Sequence, residues 1–137
     1  MKNSIIISAE LSTLDTLENQ LRTKQLIKDL NRLEIPFTTV NGMYKGSTEQ
    51  SFIIESEFCS HAEIFKLAVK YKQEAVLVLN HDCIGTLYYM DNSSPDIIGK
   101  FKALDSYTRI GHNVYTCEPL ATNLDTTEYN IRRLNNV

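Results

Sequence analysis

The chain has 137 residues, enough for one domain around one hydrophobic core. Its 14 Lys and Arg residues against 17 Asp and Glu residues give a formal net charge of -3, which offers no basic surface to a nucleic-acid backbone. The longest purely apolar run, Ala75 to Leu79, is far too short to cross a bilayer, and no export signal is visible. We therefore expect a cytoplasmic protein that binds neither nucleic acid nor membranes.

The glycines and cysteines exclude several common kinds of site. The five glycines never spell a dinucleotide-binding G-x-G-x-x-G or a P-loop. The cysteines, Cys59, Cys83 and Cys117, lie far apart and form no C-x-x-C pair, so we predict no metal site. If the chain is an enzyme, a small scaffold must build its site, and we expect copies of the chain to share it.

The first elements in chain order are a strand, a helix and an extended segment. The β-branched run within Ser4 to Ser8 predicts a buried strand, and Ser12 with Asp15 indicates a helix start. Pro36 ends that helix, and an extended segment runs from Phe37 towards Tyr44. The helix is expected to bury one apolar stripe, made of Leu14, Leu17, Leu21, Ile27, Leu30 and Leu33.

A hairpin, a second helix and two further strands follow. Lys45 to Thr48 is predicted as a turn, and Ser51 to Ile54 as the returning strand. The capping box from Ser60 to Glu63 begins a helix. Ala75 to Leu79 is typical of a buried central strand, and Thr86 to Met90 is expected to pair with it. The second helix is expected to bury Ile64, Phe65, Ala68 and Tyr71.

The order β-α-β-β-α-β predicts an α+β fold of the ferredoxin-like, split βαβ type. In this arrangement two helices cover one face of an antiparallel sheet, here with an added hairpin strand. A last strand is expected at Asn113 to Cys117, within a single domain over residues 1–120. Residues 121–137 are expected to form a polar tail, either mobile or a surface helix. Two helices leave the other sheet face bare, so we expect a homo-oligomer that buries it.

The densest set of candidate site residues lies in the hairpin. Gly42 and Gly46 permit a tight bend and the close approach of a ligand. Tyr44 and Glu49 flank the turn, so a phenol and a carboxylate can meet at one end of the hairpin. A β-turn with an exposed glutamate explains the same residues without any ligand.

Two further groups of polar residues precede the hairpin. Ser8, Ala9 and Glu10 end the first strand, where small residues leave room and backbone N–H groups can bind a carboxylate. An ordinary strand-to-helix loop is the alternative. Asn19 and Arg22 place an amide and a guanidinium on one helix face, for which solvation of that face is the favoured explanation.

Taken in order, these residues resemble the phage-encoded S-adenosylmethionine lyases, a family long described as S-adenosylmethionine hydrolases. The Val-Leu-Val strand ending at Leu79 falls in the same order, and the match covers roughly the first two thirds of the chain. The residues that carry the resemblance are Ile7, Ser8, Ala9, Asn19, Arg22, Gly42, Tyr44, Gly46, Ser47 and Glu49.

The resemblance implies an enzyme that converts S-adenosylmethionine to methylthioadenosine and homoserine lactone. It further implies a trimer with substrate between subunits and an anti-restriction or methyl-donor-depleting role for a phage. Tyr44 and Glu49 are then the catalytic residues. No metal or organic cofactor is expected, because the sulfonium leaves readily and the substrate's own carboxylate is a tethered nucleophile. The implied substrate-binding residues are Ser8, Ala9, Gly46, Ser47, Phe52 and Glu55.

Other functions stay open at this point. In a hydrolase, a glutamate would act as general base on water and release homoserine. A ferredoxin-like trimer can also bind an adenine ligand and regulate without chemistry. A phage anti-restriction factor that works by protein contact is a third alternative.

Overall fold

The structure is a computed structural model that describes residues 3–44, 47–103, 114–118 and 130–133, with side chains described for 3–42 and 49–101. In these ranges the chain forms two helices and eight strands. The helices are α1 (Thr16–Arg32) and α2 (His61–Lys70). The strands are β1 (Ser4–Ser8), β2 (Thr38–Tyr44), β3 (Ser47–Glu55), β4 (Ala75–Leu79), β5 (Ile84–Tyr89), β6 (Asp96–Ala103), β7 (Val114–Glu118) and β8 (Asn130–Arg133).

The first four strands and both helices form the predicted ferredoxin-like unit. The strands lie in the order β4-β1-β3-β2, and each neighbouring pair is antiparallel. Helix α1 connects β1 to β2, and α2 connects β3 to β4. The predicted α+β class and ferredoxin-like arrangement are therefore confirmed. The added hairpin strand is confirmed as well, since β5 pairs with β4 along its length.

Three more strands continue the sheet until it closes into a barrel. Strand β6 pairs with β5, β7 with β6, and β8 with both β7 and β2. Strand β7 confirms the strand predicted near Asn113, whereas β6 was not expected. Strand β8 lies within the predicted polar tail, so Asn130–Arg133 is a paired strand and not a surface helix. The domain boundary at residue 120 stays a prediction.

The sheet face opposite the helices carries a core of its own. The Phe101 ring lies over Gly85, where an added Cβ would come within 2.6 Å of a ring carbon. Because the added strands wrap around this face, one chain covers it, and the expectation of a bare sheet face is wrong. The oligomeric state itself stays a prediction. This inner core consists of Ile6, Val40, Leu79, Leu87, Ile98 and Phe101.

The helix-side core corrects the predicted stripe of α1. The helix begins after the N-cap Asp15, whose side chain accepts a hydrogen bond from the N–H of Glu18 at 2.8 Å. Leu17 and Leu21 are 65% and 59% exposed. The buried face consists of Thr23, Leu26, Asp29 and Leu30. Leu30 is buried as predicted and Ile27 packs against this core. The stripe was misplaced at Leu17 and Leu21, because two polar residues occupy part of the buried face and apolar periodicity does not detect them.

Helix α2 follows its prediction more closely. The Ser60 hydroxyl caps it by accepting a hydrogen bond from the N–H of Glu63 at 3.2 Å. Ile64, Ala68 and Tyr71 are buried as expected. Both helices pack with the outward side chains of β1, β3 and β4 in one cluster. This packing fixes the loop after β1, where the candidate site begins.

Candidate active site

The inner face of the barrel becomes polar at one end. Ile6 belongs to the inner core and Ile53 packs against it. Side chains alternate between the two faces along a strand, so Ser8 follows Ile6 on this face. Ser51 and Glu49 likewise follow Ile53, and Ser8 pairs with Ser51 in the ladder. A polar end of the inner face is therefore assembled from β1 and β3.

Hydrogen bonds tie the loop after β1 to strand β3. The buried Ser8 hydroxyl donates to the carbonyl of Gln50 at 2.8 Å and accepts from the N–H of Glu10 at 3.1 Å. The Glu10 carboxylate accepts a hydrogen bond from the N–H of Gln50. Both main-chain polar groups of Gln50 are thus bonded to this loop, and the Glu10 carboxylate comes near Glu49, the residue before Gln50.

Glu10 and Glu49 form what we call the carboxyl pair. Burial raises the pKa of Glu49, and the negative charge of Glu10 raises it further, to about 7. Near neutral pH Glu49 is therefore partly protonated in a partly desolvated place. Such a site favours a cation that can be brought close without its water, because attraction strengthens as the effective dielectric constant falls.

Three side chains hold the loop that carries Glu10, and we call them the loop brace. Arg22 Nε donates to the carbonyl of Ala9 at 2.7 Å. Gln73 Nε2 donates to the carbonyl of Glu10 at 3.1 Å. Asn19 makes two hydrogen bonds with Leu11, each at 2.9 Å. Its Nδ2 donates to the carbonyl of Leu11, and its Oδ1 accepts from the N–H of Leu11. The brace consists of Asn19, Arg22 and Gln73.

A buried carboxylate joins the two helices behind the loop brace. Asp29 accepts hydrogen bonds from the Tyr71 hydroxyl at 2.5 Å and from Lys70 Nζ at 2.7 Å. Burial alone would raise the pKa of Asp29, but the bonds from Lys70 and Tyr71 outweigh it and lower the pKa below its ordinary value. Burial and the adjacent Asp29 raise the pKa of Tyr71, which stays neutral and donates. The helices therefore form a firm support for the loop.

The predicted catalytic residues share one end of the β2–β3 hairpin. Gly42 pairs with Glu49, and Tyr44 pairs with Ser47, so the backbones of Tyr44 and Glu49 lie near the same turn. The side chains of Tyr44 and Ser47, and the whole of Gly46, lie outside the described residues. Their predicted roles therefore stay predictions.

The predicted substrate-binding residues lie in three different surroundings. Ser8 and Ala9 are both buried beside the carboxyl pair, and the carbonyl of Ala9 is bound by Arg22. Phe52 is fully buried in the helix-side core, where its ring meets that of Phe37 edge-on at 5.1 Å. Glu55 pairs with Ser4 at the other end of β3, roughly 20 Å from Glu49 by strand geometry. The structure thus joins Ser8 and Ala9 to Glu49, but not Phe52 or Glu55.

Glu10 and Gln73 are site residues that sequence reasoning did not assign. Glu10 was grouped with Ser8 and Ala9 at the end of the first strand, but no role was given to its carboxylate, and Gln73 was not singled out. A charged residue directly after a buried strand was the available signal for Glu10. The pairing that brings Glu10 to Glu49 depends on the β1–β3 register, which a single sequence does not specify.

A comparison with known protein families supplies an independent finding. The sequence model described as the S-adenosylmethionine lyase family matches residues 5–122. The chain belongs to the S-adenosylmethionine lyase family. The matched range includes both helices, the hairpin and the carboxyl pair of this lyase.

Membership makes this lyase an enzyme that cleaves S-adenosylmethionine. No curated protein matches the chain. Among the described residues, no helix is long and apolar enough to cross a membrane. In the same part of the chain, no group of three or more His, Cys, Asp and Glu side chains has the arrangement needed to hold a metal ion.

Proposed function

We propose that this lyase cleaves S-adenosylmethionine by intramolecular attack, giving methylthioadenosine and homoserine lactone. The observation that carries the proposal is the partly desolvated carboxyl pair, Glu10 and Glu49, at the polar end of the inner face. The substrate's sulfonium is a permanent cation, and the three groups attached to its sulfur are bonded through carbon. A partly dehydrated anionic site matches that cation, and the exclusion of water favours a reaction in which charge disappears.

The proposed reaction balances without a proton donor or acceptor. A carboxylate oxygen of the substrate attacks its own Cγ and forms the new C–O bond of a five-membered lactone. The Cγ–S bond breaks, and its electron pair stays on sulfur, which becomes the neutral thioether of methylthioadenosine. The enzyme has to fold the methionyl chain into this shape and keep water away from its carboxylate.

Glu49 binds the substrate in this scheme and does not act as a base. A negative charge next to the sulfonium strengthens binding, but this attraction weakens as the cation is neutralised in the transition state. Such an interaction lowers KM without raising kcat. The raised pKa of Glu49 limits the electrostatic repulsion in the free enzyme, because Glu49 is partly protonated near neutral pH.

Most of the remaining predicted residues are proposed to line the same site. Tyr44 holds the sulfonium by its ring face or hydroxyl, in the manner of a cation–π contact. The backbone at Ser8 and Ala9 holds the methionyl end, and Gly46 and Ser47 contact the ligand from the turn. Phe52 supports the site from the core through its packing against Phe37. Glu55, distant in β3, is a substrate-binding residue only if a second subunit brings it to the site.

The biological setting is proposed from the resemblance to phage enzymes. We infer a homotrimer with substrate between subunits, in the host cytoplasm, that removes the methyl donor on which restriction systems depend. Leu17 and Leu21 on the exposed side of α1 supply apolar surface that subunit contacts would bury. A light-scattering mass of three chains supports the trimer, and a mass of one chain at working concentration contradicts it.

The test of function is to incubate the purified protein with S-adenosylmethionine and follow methylthioadenosine by chromatography. Catalytic formation of methylthioadenosine together with homoserine lactone supports the proposal. Tight binding without any product would instead favour a regulatory module that senses an adenine ligand. Absence of both binding and product would favour a protein that acts by contact alone.

A further inference from the structure

Three successive main-chain carbonyls in the loop after β1 each accept a hydrogen bond from a side chain elsewhere. The carbonyl of Ala9 is bound by Arg22, and that of Glu10 by Gln73. The carbonyl of Leu11 is bound by Asn19. Surface loops usually satisfy such groups with water and move more than the elements they connect. Residues 9–11 of this loop are instead each held by a side chain.

Arg22 is the member of the loop brace that also contacts the end of α2. Its Nε donates to Ala9, and its terminal nitrogen donates to the carbonyl of Tyr71, the residue that caps α2. The guanidinium carbon also lies 5.6 Å from the centre of the Tyr71 ring. One planar group thus links the loop to the end of α2. A lysine ammonium lacks the fixed fork needed to reach both carbonyls in this way.

Residues 9–11 include one charged side chain, that of Glu10, and it belongs to the carboxyl pair. Glu10 is bonded through its N–H to Ser8, through its carbonyl to Gln73 and through its carboxylate to the N–H of Gln50. All three of its polar groups are therefore fixed. A shift of the loop would move the Glu10 carboxylate relative to Glu49, which is anchored independently in β3.

We propose that Arg22, with Asn19 and Gln73, is a positioning residue that holds the Glu10 carboxylate against Glu49 and so sets the charge of the substrate site. The expected effect of Arg22 on catalysis rests on the proposed function. Its effect on the position of the Glu10 carboxylate does not. Arg22 acts here through Glu10 and touches no substrate. Its effect therefore has to disappear when Glu10 carries no charge.

The test is a carboxyl titration of Glu49, followed by NMR on protein with 13C-labelled glutamate and without substrate. The variants are Glu10→Gln, Arg22→Gln and the two combined. Lys28→Gln, which removes the same charge from an exposed position of α1, is the matched control. Arg22→Lys is the second variant, which keeps the positive charge while losing the two-carbonyl link. Circular dichroism establishes that each variant folds.

We expect Glu10→Gln to lower the titration midpoint of Glu49 from about 7 part of the way towards 4.5, because burial remains while the neighbouring charge is gone. Arg22→Gln and Arg22→Lys are expected to shift it in the same direction, and Lys28→Gln to leave it unchanged. In the double variant, Arg22→Gln should add nothing to the shift caused by Glu10→Gln.

A wild-type midpoint in both folded Arg22 variants would overturn the positioning role. Additive shifts in the double variant would overturn it as well, since Arg22 would then act on Glu49 directly. The titration needs no substrate, so these results are independent of whether methylthioadenosine is formed. In the lyase assay, we expect Arg22→Gln to lower kcat/KM at least tenfold and Lys28→Gln to leave it unchanged.

Discussion

The Glu10 carboxylate accepts a hydrogen bond from the N–H that directly follows Glu49, and its charge adds to burial in raising the pKa of Glu49 to about 7. Two carboxyl groups far apart in the chain therefore share one partly dehydrated place. A protein would be more stable without such a pair, and a cationic ligand relieves the repulsion. The carboxyl pair thus destabilises the folded protein, as residues of a binding site often do.

The first prediction concerns the stability of Glu49→Gln. In the folded protein Glu49 keeps its proton up to about pH 7, whereas the unfolded chain releases it near its ordinary value of 4.5. The folded state binds more protons between these values, so the contribution of Glu49 to stability falls as pH rises through this window. We expect Glu49→Gln to raise the free energy of unfolding by about 1–3 kcal/mol at pH 8.

Denaturant unfolding at pH 8 and at pH 4 measures this effect. At pH 4 the glutamate is mostly protonated in both states, so the advantage of Glu49→Gln should disappear. An exposed substitution such as Glu34→Gln is the control and should show no such pH-dependent gain. Equal or lower stability of Glu49→Gln at pH 8 would contradict the account of the carboxyl pair.

The second prediction concerns substrate affinity and pH. Glu49 is anionic above about pH 7 and protonated below it, so the KM for S-adenosylmethionine should fall as pH rises through 7. Glu49→Gln should raise KM about tenfold at pH 8, equivalent to losing roughly 1.4 kcal/mol, and leave kcat less affected. Initial rates across pH measure both constants. Titration of the substrate's own amino group persists in the variant and can be subtracted.

A fall in kcat with unchanged KM would contradict that role. Such a result would indicate that Glu49 acts only in the transition state, as a general base on water would. The same measurement on Tyr44→Phe tests the proposed hold on the sulfonium. We expect that variant to lose activity while keeping its stability.

The third prediction separates packing from substrate contact at Phe52. Because Phe52 is fully buried and meets Phe37 edge-on, Phe52→Leu should lower the free energy of unfolding by about 1–2 kcal/mol. The KM for S-adenosylmethionine should stay within twofold of the wild-type value. Phe65→Leu, at an aromatic contact with Tyr88 on the same side of the sheet, is the matched control. A large rise in KM for Phe52→Leu alone would show that the ring contacts substrate.

The fourth prediction tests the inner core. A Cβ at Gly85 would lie 2.6 Å from a carbon of the Phe101 ring, so Gly85→Ala should destabilise the fold by about 1–3 kcal/mol. Phe101→Leu in the same chain makes room, and the double variant should be more stable than the sum of the single effects predicts. Strict additivity in thermal unfolding would place Phe101 away from Gly85 and contradict the closed sheet.

Local signals in the sequence predicted much of the fold. The β-branched run at Ile5 to Ile7 and the apolar run from Ala75 to Leu79 are strands, and the capping box at Ser60 begins a helix. The order of strands and helices along the chain was enough to predict the ferredoxin-like unit. Strand β8 was missed because four polar-rich residues become a strand only by pairing with β2 and β7.

The candidate site was predicted in part. The hairpin placed Tyr44 and Glu49 near one turn, and the first strand supplied Ser8. Asn19 and Arg22 were noticed, but surface solvation was the favoured explanation, whereas both side chains bond to the loop after β1. Glu10 was not assigned, because its closeness to Glu49 arises from long-range pairing of β1 with β3. The register between two strands that are far apart in the chain cannot be predicted from the local sequence of either strand.

The central claim is that the substrate's own carboxylate, and not water, breaks the Cγ–S bond. The most direct measurement is the reaction in 18O-labelled water, with rapid quenching and mass spectrometry of the products. The account predicts unlabelled homoserine lactone as the first product, and any homoserine formed later should carry the label in its carboxylate. Homoserine labelled in its side-chain hydroxyl from the earliest time would contradict the account and establish hydrolysis at Cγ.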